Sequence, residues 1–155
     1  MIRVWLASGL LAAGAVAAAN AHDPAAEHAT GRAPGAATAS QPPPSETPSP
    51  LLEQPLPNVK GKTFTSMIVD FPPAARAAPH RHGEAFVYAY VLEGTVRSQL
   101  AGEPVRTFRQ GESWVERPGA HHVLTENASP TQPAKLLVIF ISNTGDKLKV
   151  NDPPR

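Results

Sequence analysis

Pro79-His80-Arg81-His82-Gly83-Glu84 and the later Pro118-Gly119-Ala120-His121-His122 decide how this chain is read. Four of its six histidines fall in these two short segments. In an extended segment residues i and i+2 project from the same face, so His80 and His82 direct two imidazoles toward one point. A third histidine arriving from a later strand would complete three nitrogens around a divalent metal.

Outward from the motif the pattern is one of short strands and turns. Thr63 to Phe71 is rich in β-branched and aromatic residues, and Phe86 to Leu92 is a second such run, ended by Glu93-Gly94. Thr95 to Leu100 alternates, with Val96, Ser98 and Leu100 on one side. Ala101-Gly102-Glu103-Pro104 marks a hairpin tip leading into Val105 to Arg109, and Gln110-Gly111 is a turn before Ser113-Trp114-Val115-Glu116. Leu136 to Ile141 is apolar throughout, which predicts a strand covered on both faces. No stretch after residue 58 carries sustained helical periodicity with caps. Many short strands with close turns predict an all-β sandwich or barrel over 58–150.

The chain has 155 residues, and its first part does not suit a core. Arg3, the apolar stretch Val4 to Ala19 and the small residues of Ala19-Asn20-Ala21 predict a cleaved signal peptide over 1–21, and hence a periplasmic or secreted protein. The stretch is short and alanine-rich for a membrane span, so no stable span is expected after cleavage. Residues 22–57 hold nine of the eighteen prolines, including Pro42-Pro43-Pro44. Such a segment buries too little apolar area to offset its ordering entropy and is expected to be a disordered Pro/Ala-rich linker. His22 and His28 fall in it and are expected to be solvated. The chain has no cysteine, so neither disulfides nor thiolate chemistry enter. Loss of Arg3 with the signal leaves 13 basic against 13 acidic residues, a balance that argues against nucleic acid as a partner.

The two histidine segments resemble the paired motifs of the cupin superfamily, small jelly-roll barrels that hold a metal inside. The first family motif has two histidines one residue apart, a glutamate a few positions later, and then a glycine. Here these are His80-Arg81-His82 and, twelve residues after His82, Gly94. The second motif runs from a glycine through a turn glycine to a histidine, here Gly111, Gly119 and His122. The resemblance spans about residues 64–141 and implies an all-β jelly roll, a double-stranded β-helix, with His80, His82 and His122 as metal ligands. His121 is expected to point the opposite way and to be exposed or hydrogen-bonded.

The chain also departs from the family pattern. Counted back from Gly94, the glutamate position falls on Val87, which cannot ligate a metal. Arg117 stands where the family has a proline, with Pro118 one place late, and the usual asparagine is one place late at Asn127. Three outcomes follow. The site uses three histidines alone; or Glu84, two residues beyond His82, replaces the lost carboxylate if the strand persists through Gly83; or the metal is lost and the histidines line a polar pocket.

The metal expected is one divalent transition ion, with Fe, Mn, Ni, Cu and Zn all compatible with nitrogen ligands. The expected function is a small exported cupin that binds this metal in the barrel through three histidines; if it is an enzyme, its expected chemistry is that of a metal-dependent dioxygenase or isomerase on a small molecule. The competing reading is a non-catalytic module that binds a small molecule or a metal. A third is a homodimer paired through edge strands. Phe86, Tyr88 and Tyr90 share a strand face and are expected to pack, and Trp114 is expected in the core or at the pocket rim. Arg97 and Arg117 are expected on the surface.

Overall fold

Alternation of small or apolar residues with polar ones builds two facing sheets. The computed structural model describes residues 44–153; the expected signal peptide and the first part of the expected linker lie outside them. The elements are β1 (Thr47–Pro55), β2 (Lys62–Phe71), β3 (Arg76–Ala77), β4 (His80–Arg81), β5 (Phe86–Glu93), β6 (Thr95–Leu100), β7 (Arg106–Arg109), β8 (Ser113–Glu116), β9 (His121–Asn127), β10 (Ala134–Asn143) and β11 (Val150–Asn151). One sheet has the order β1-β2-β10-β5-β8; the other has β11-β4-β9-β6-β7, with β3 also pairing β9. Every pairing is antiparallel. None of the described residues is helical.

The core lies between the sheets. Val69 and Phe71 of β2, Val87, Ala89 and Val91 of β5, and Leu136, Val138 and Phe140 of β10 are buried on one side. Val96, Phe108 and Ala77 meet them from the other sheet. This parity places Phe86, Tyr88 and Tyr90 on the opposite, outer face of β5, away from the interior. β10 departs from expectation. Its inner positions are buried, but Leu137 and Ile139 are partly exposed and Ile141 is exposed, so the strand is covered on one face rather than two.

The domain also starts earlier than the sequence predicts. Residues 47–55, expected within the disordered linker, form β1 and pair with β2 from Thr47↔Asp70 to Pro55↔Thr63. Composition is still reflected in the result, since all nine residues of β1 are exposed. What composition hides is main-chain pairing at a sheet edge, where an outward side with no ladder to complete tolerates Pro48, Pro50 and Pro55.

Two devices fix the histidine-bearing strands. Gly94, the motif glycine after β5, has φ +74°, and a Cβ there would lie 2.5 Å from the Pro133 carbonyl oxygen. Only glycine permits that approach of the β5–β6 turn to the start of β10. Asn127, at the end of β9, donates through Nδ2 to the carbonyls of Phe71, Pro72 and Gln132 and accepts from the Ser129 N–H. On the outer face of the same sheet, buried Glu126 pairs with both Arg76 and Arg97. Arg97 is thus committed to a structural ion pair.

Candidate metal centre

β4 and β9 place the two histidine segments side by side. His80 pairs with His122 and Arg81 with His121 in antiparallel register, and the Gly119 N–H donates to the Gly83 carbonyl at 2.7 Å. His80, His82 and His122 each present a ring nitrogen, and the three atoms lie within 4.8 Å of one another. His121 turns the other way, 2.8 Å from Asp152 Oδ2.

Glu84 does not join them. Gly83 adopts φ +57°, and the Ala85 N–H returns to the His82 carbonyl. The chain therefore turns instead of continuing as a strand, and Glu84 is exposed. A carboxylate that the sequence reading passed over stands in the cavity instead: Glu116 of β8, 2% exposed. Its only signal in the sequence is that it shares parity with Trp114.

The imidazoles are fixed by partners on their far sides. His80 Nδ1 lies 2.7 Å from the Ala78 carbonyl, and His82 Nδ1 lies against the Leu148 carbonyl. A carbonyl only accepts, so Nδ1 carries the proton in each ring and Nε2 is left bare. These two bare nitrogens are 3.1 Å apart. Burial pushes His80 down to about 4, only partly offset by the Ala78 carbonyl. Burial likewise lowers His82, against the pull of Glu116 and the Leu148 carbonyl. Both rings are therefore neutral at pH 7, the state that ligates metals. Two neutral acceptors in contact repel each other, and a cation between them removes the conflict. The residues present thus fit a metal.

His122 has its Nε2 between the hydroxyls of Ser98 and Thr125, at 2.8 and 2.7 Å, while its Nδ1 faces Glu116. Burial alone raises the Glu116 carboxyl. Its interactions with His122, His82 and the Trp114 indole outweigh burial and hold it below its ordinary value. The indole Nε1–H donates to Glu116 Oε1 at 3.2 Å, and Trp114 itself stacks on Phe108 with centroids 4.7 Å apart.

These groups line a cavity of about 260 Å³ between the sheets. Its walls are apolar (Met67, Val69, Phe71, Ala89, Leu136, Val138, Phe140), and Pro48 and Pro50 of β1 border it together with Glu46 and Lys149, an ion pair. A larger groove of about 880 Å³ runs beside β7 and β8 with Arg106, Arg117 and His121 along it, but the three converging histidines are not part of it. Chemistry points to the smaller cavity.

Sheet order, the paired motifs and the converging imidazoles agree with one comparison in particular: the cupin-domain family model matches residues 67–140. The domain is a cupin. Solved structures similar to it include an oxalate oxidase in complex with glycolate, 24% identical with TM-score 0.55, covering 72% of this chain and 57% of that one. A DMSP lyase from Ruegeria pomeroyi is 19% identical with TM-score 0.56, covering 69% of this chain and 51% of that one. A cupin 2 domain-containing protein from Halorhodospira halophila is 15% identical with TM-score 0.56, covering 70% and 71%. At these identities the likeness is one of fold. The chain spans less than two thirds of the oxalate oxidase and of the lyase it matches. A search of curated proteins returns no match. Among the described residues no helix is long and apolar enough to cross a membrane.

Proposed function

We propose that this cupin binds one divalent transition metal through His80, His82 and His122 and uses it as a dioxygenase or isomerase acting on a small molecule. The observation that carries the reading is the pair of bare Nε2 atoms of His80 and His82, 3.1 Å apart in an apolar-walled cavity. When bound, the metal would supply a Lewis acid and a site for a substrate or oxygen atom. The protein's own part is to hold the imidazoles neutral, exclude bulk water with the walls of β2, β5 and β10, and admit a ligand of a few heavy atoms past Glu46 and Lys149. Cupin neighbours named for oxalate oxidation and DMSP cleavage make a small organic acid a reasonable first substrate class. Metal analysis of the purified protein beside a His80→Ala/His122→Ala variant tests the centre. Oxygen uptake by the metal-loaded protein across thiols, phenols and keto acids tests turnover. Stoichiometric metal only in the wild type supports the centre, and its absence there refutes it.

A second reading, a binding module without turnover, is favoured by the small number of polar groups in the cavity besides the histidines and Glu116. Metal uptake with no oxygen consumption and no substrate conversion would select it. Export to the periplasm or medium belongs to the same proposal and rests on residues 1–21; fractionation with amino-terminal sequencing of the mature protein checks it.

A further inference from the structure

We infer that Glu116 is the fourth metal ligand, and that the carboxylate missing from the histidine motif at Val87 has moved across the sheet to the neighbouring strand. The inference rests on the metal-binding reading above and adds to it the charge and the ligand number of the centre. In the β5–β8 pair Val87 is the register partner of Glu116. Directly opposed residues of an antiparallel pair project from the same face with their Cβ atoms about 5 Å apart. A carboxylate on either residue therefore reaches much the same volume, and both side chains border the cavity.

The hydrogen-bond inventory singles out the same place. Among the described residues, two buried side-chain atoms lack a hydrogen-bond partner: Glu116 Oε2 and His122 Nδ1. The Glu116 and His122 side chains are each 3% exposed, so bulk solvent reaches neither atom. His122 Nδ1 stands 3.0 Å from Glu116 Oε1, yet the two are not aligned as donor and acceptor. Glu116 Oε2 lies 3.7 Å from His82 Nε2. Ligand atoms around one transition metal at about 2.1 Å are separated from each other by about 3–3.5 Å. Between the proposed ligand atoms, His80 Nε2 and His82 Nε2 are 3.1 Å apart and His82 Nε2 and Glu116 Oε2 are 3.7 Å apart, at or just above that range. Nature leaves few buried polar atoms orphaned without cause, and an ion is one such cause.

Each ligand would also be steadied on its far side, as metal ligands generally are. Carbonyls hold His80 and His82, hydroxyls hold His122, and the Trp114 indole holds Glu116 by Oε1, leaving Oε2 free. The competing role for Glu116 is to position His122 by accepting an Nδ1–H while Nε2 binds the metal. That role needs an aligned Nδ1–H···O bond, and it needs Nε2 clear of Ser98 and Thr125.

The test uses Zn(II) and Co(II) on the purified full protein, with affinity read by chelator competition and ligand number by the visible spectrum of the Co(II) form. Glu116→Gln keeps an acceptor for Trp114 and removes the charge. It is expected to bind Zn(II) at least about tenfold more weakly and to shift and change the intensity of the cobalt bands. Val87→Glu/Glu116→Gln returns the carboxylate to the motif position; it is expected to recover affinity and a wild-type-like cobalt spectrum. This double variant also answers the case in which Glu116→Gln alone folds poorly. If Glu116→Gln shows the wild-type affinity and spectrum while His80→Ala binds nothing, the metal centre stands and the Glu116 assignment falls. If the wild type binds neither ion, both fall.

Discussion

Val87 and Glu116 are register partners across the β5–β8 pair, so the residue that interrupts the histidine motif and the acid that lines the same cavity are neighbours in space, 29 positions apart in sequence. In sequence the motif runs from His80 on β4 through the Gly83 turn to Val87 on β5. Here its acidic element is found only when the adjacent strand is read with it.

Metal should stabilise the folded chain, since the three nitrogens converge only there. At free Zn(II) a hundredfold above its dissociation constant the gain is about 2.7 kcal/mol. Thermal melts with and without metal measure it. His122→Ala should abolish the metal-dependent shift, and an equal shift in that variant would remove His122 from the centre.

Acid should destabilise the metal-free protein. His80 titrates at about 4 in the fold, below its ordinary 6.5, so between these values the unfolded chain binds the extra proton. The stabilisation is complete above pH 6.5 and is lost as pH falls toward 4. For His80 it amounts to about 3 kcal/mol, and His82, also lowered by burial, acts in the same direction. Urea melts from pH 7 to 4 in the presence of chelator should show this loss and should flatten in His80→Gln. A flat wild-type profile would contradict it.

Asn127→Ala should cost about 3 kcal/mol, because the carbonyls of Phe71, Pro72 and Gln132 lose their common donor and the Ser129 N–H its acceptor. Chemical denaturation measures the cost. A change below about 0.5 kcal/mol would mean that water replaces the amide.

Gly94→Ala should cost about 2–4 kcal/mol, combining a positive φ with a Cβ placed 2.5 Å from the Pro133 oxygen. Gly111→Ala, also at positive φ but with open space around its Cβ, is the control and should cost less. Equal losses would show that crowding at Pro133 adds nothing.

The sequence revealed the strands of the core and the histidines, and for definite reasons it revealed neither β1 nor Glu116. His80 and His82 could be paired from spacing alone, and the resemblance to cupins selected His122 over His121. Glu84 was a reasonable candidate until Gly83 took a left-handed turn, a choice of backbone that a glycine leaves open. Glu116 was invisible because cross-strand register depends on turn geometry and packing, which one sequence does not spell out. β1 was missed because side-chain composition forecasts burial, and this strand is held by its main chain at an edge.

The hydrogen bond from Gly119 to the Gly83 carbonyl ties the two motif turns into one unit. One residue inserted into either turn would displace the His80–His82 pair relative to His122 without altering any ligand. The length of these two turns, more than the identity of the residues in them, is the quantity this centre has least freedom to change.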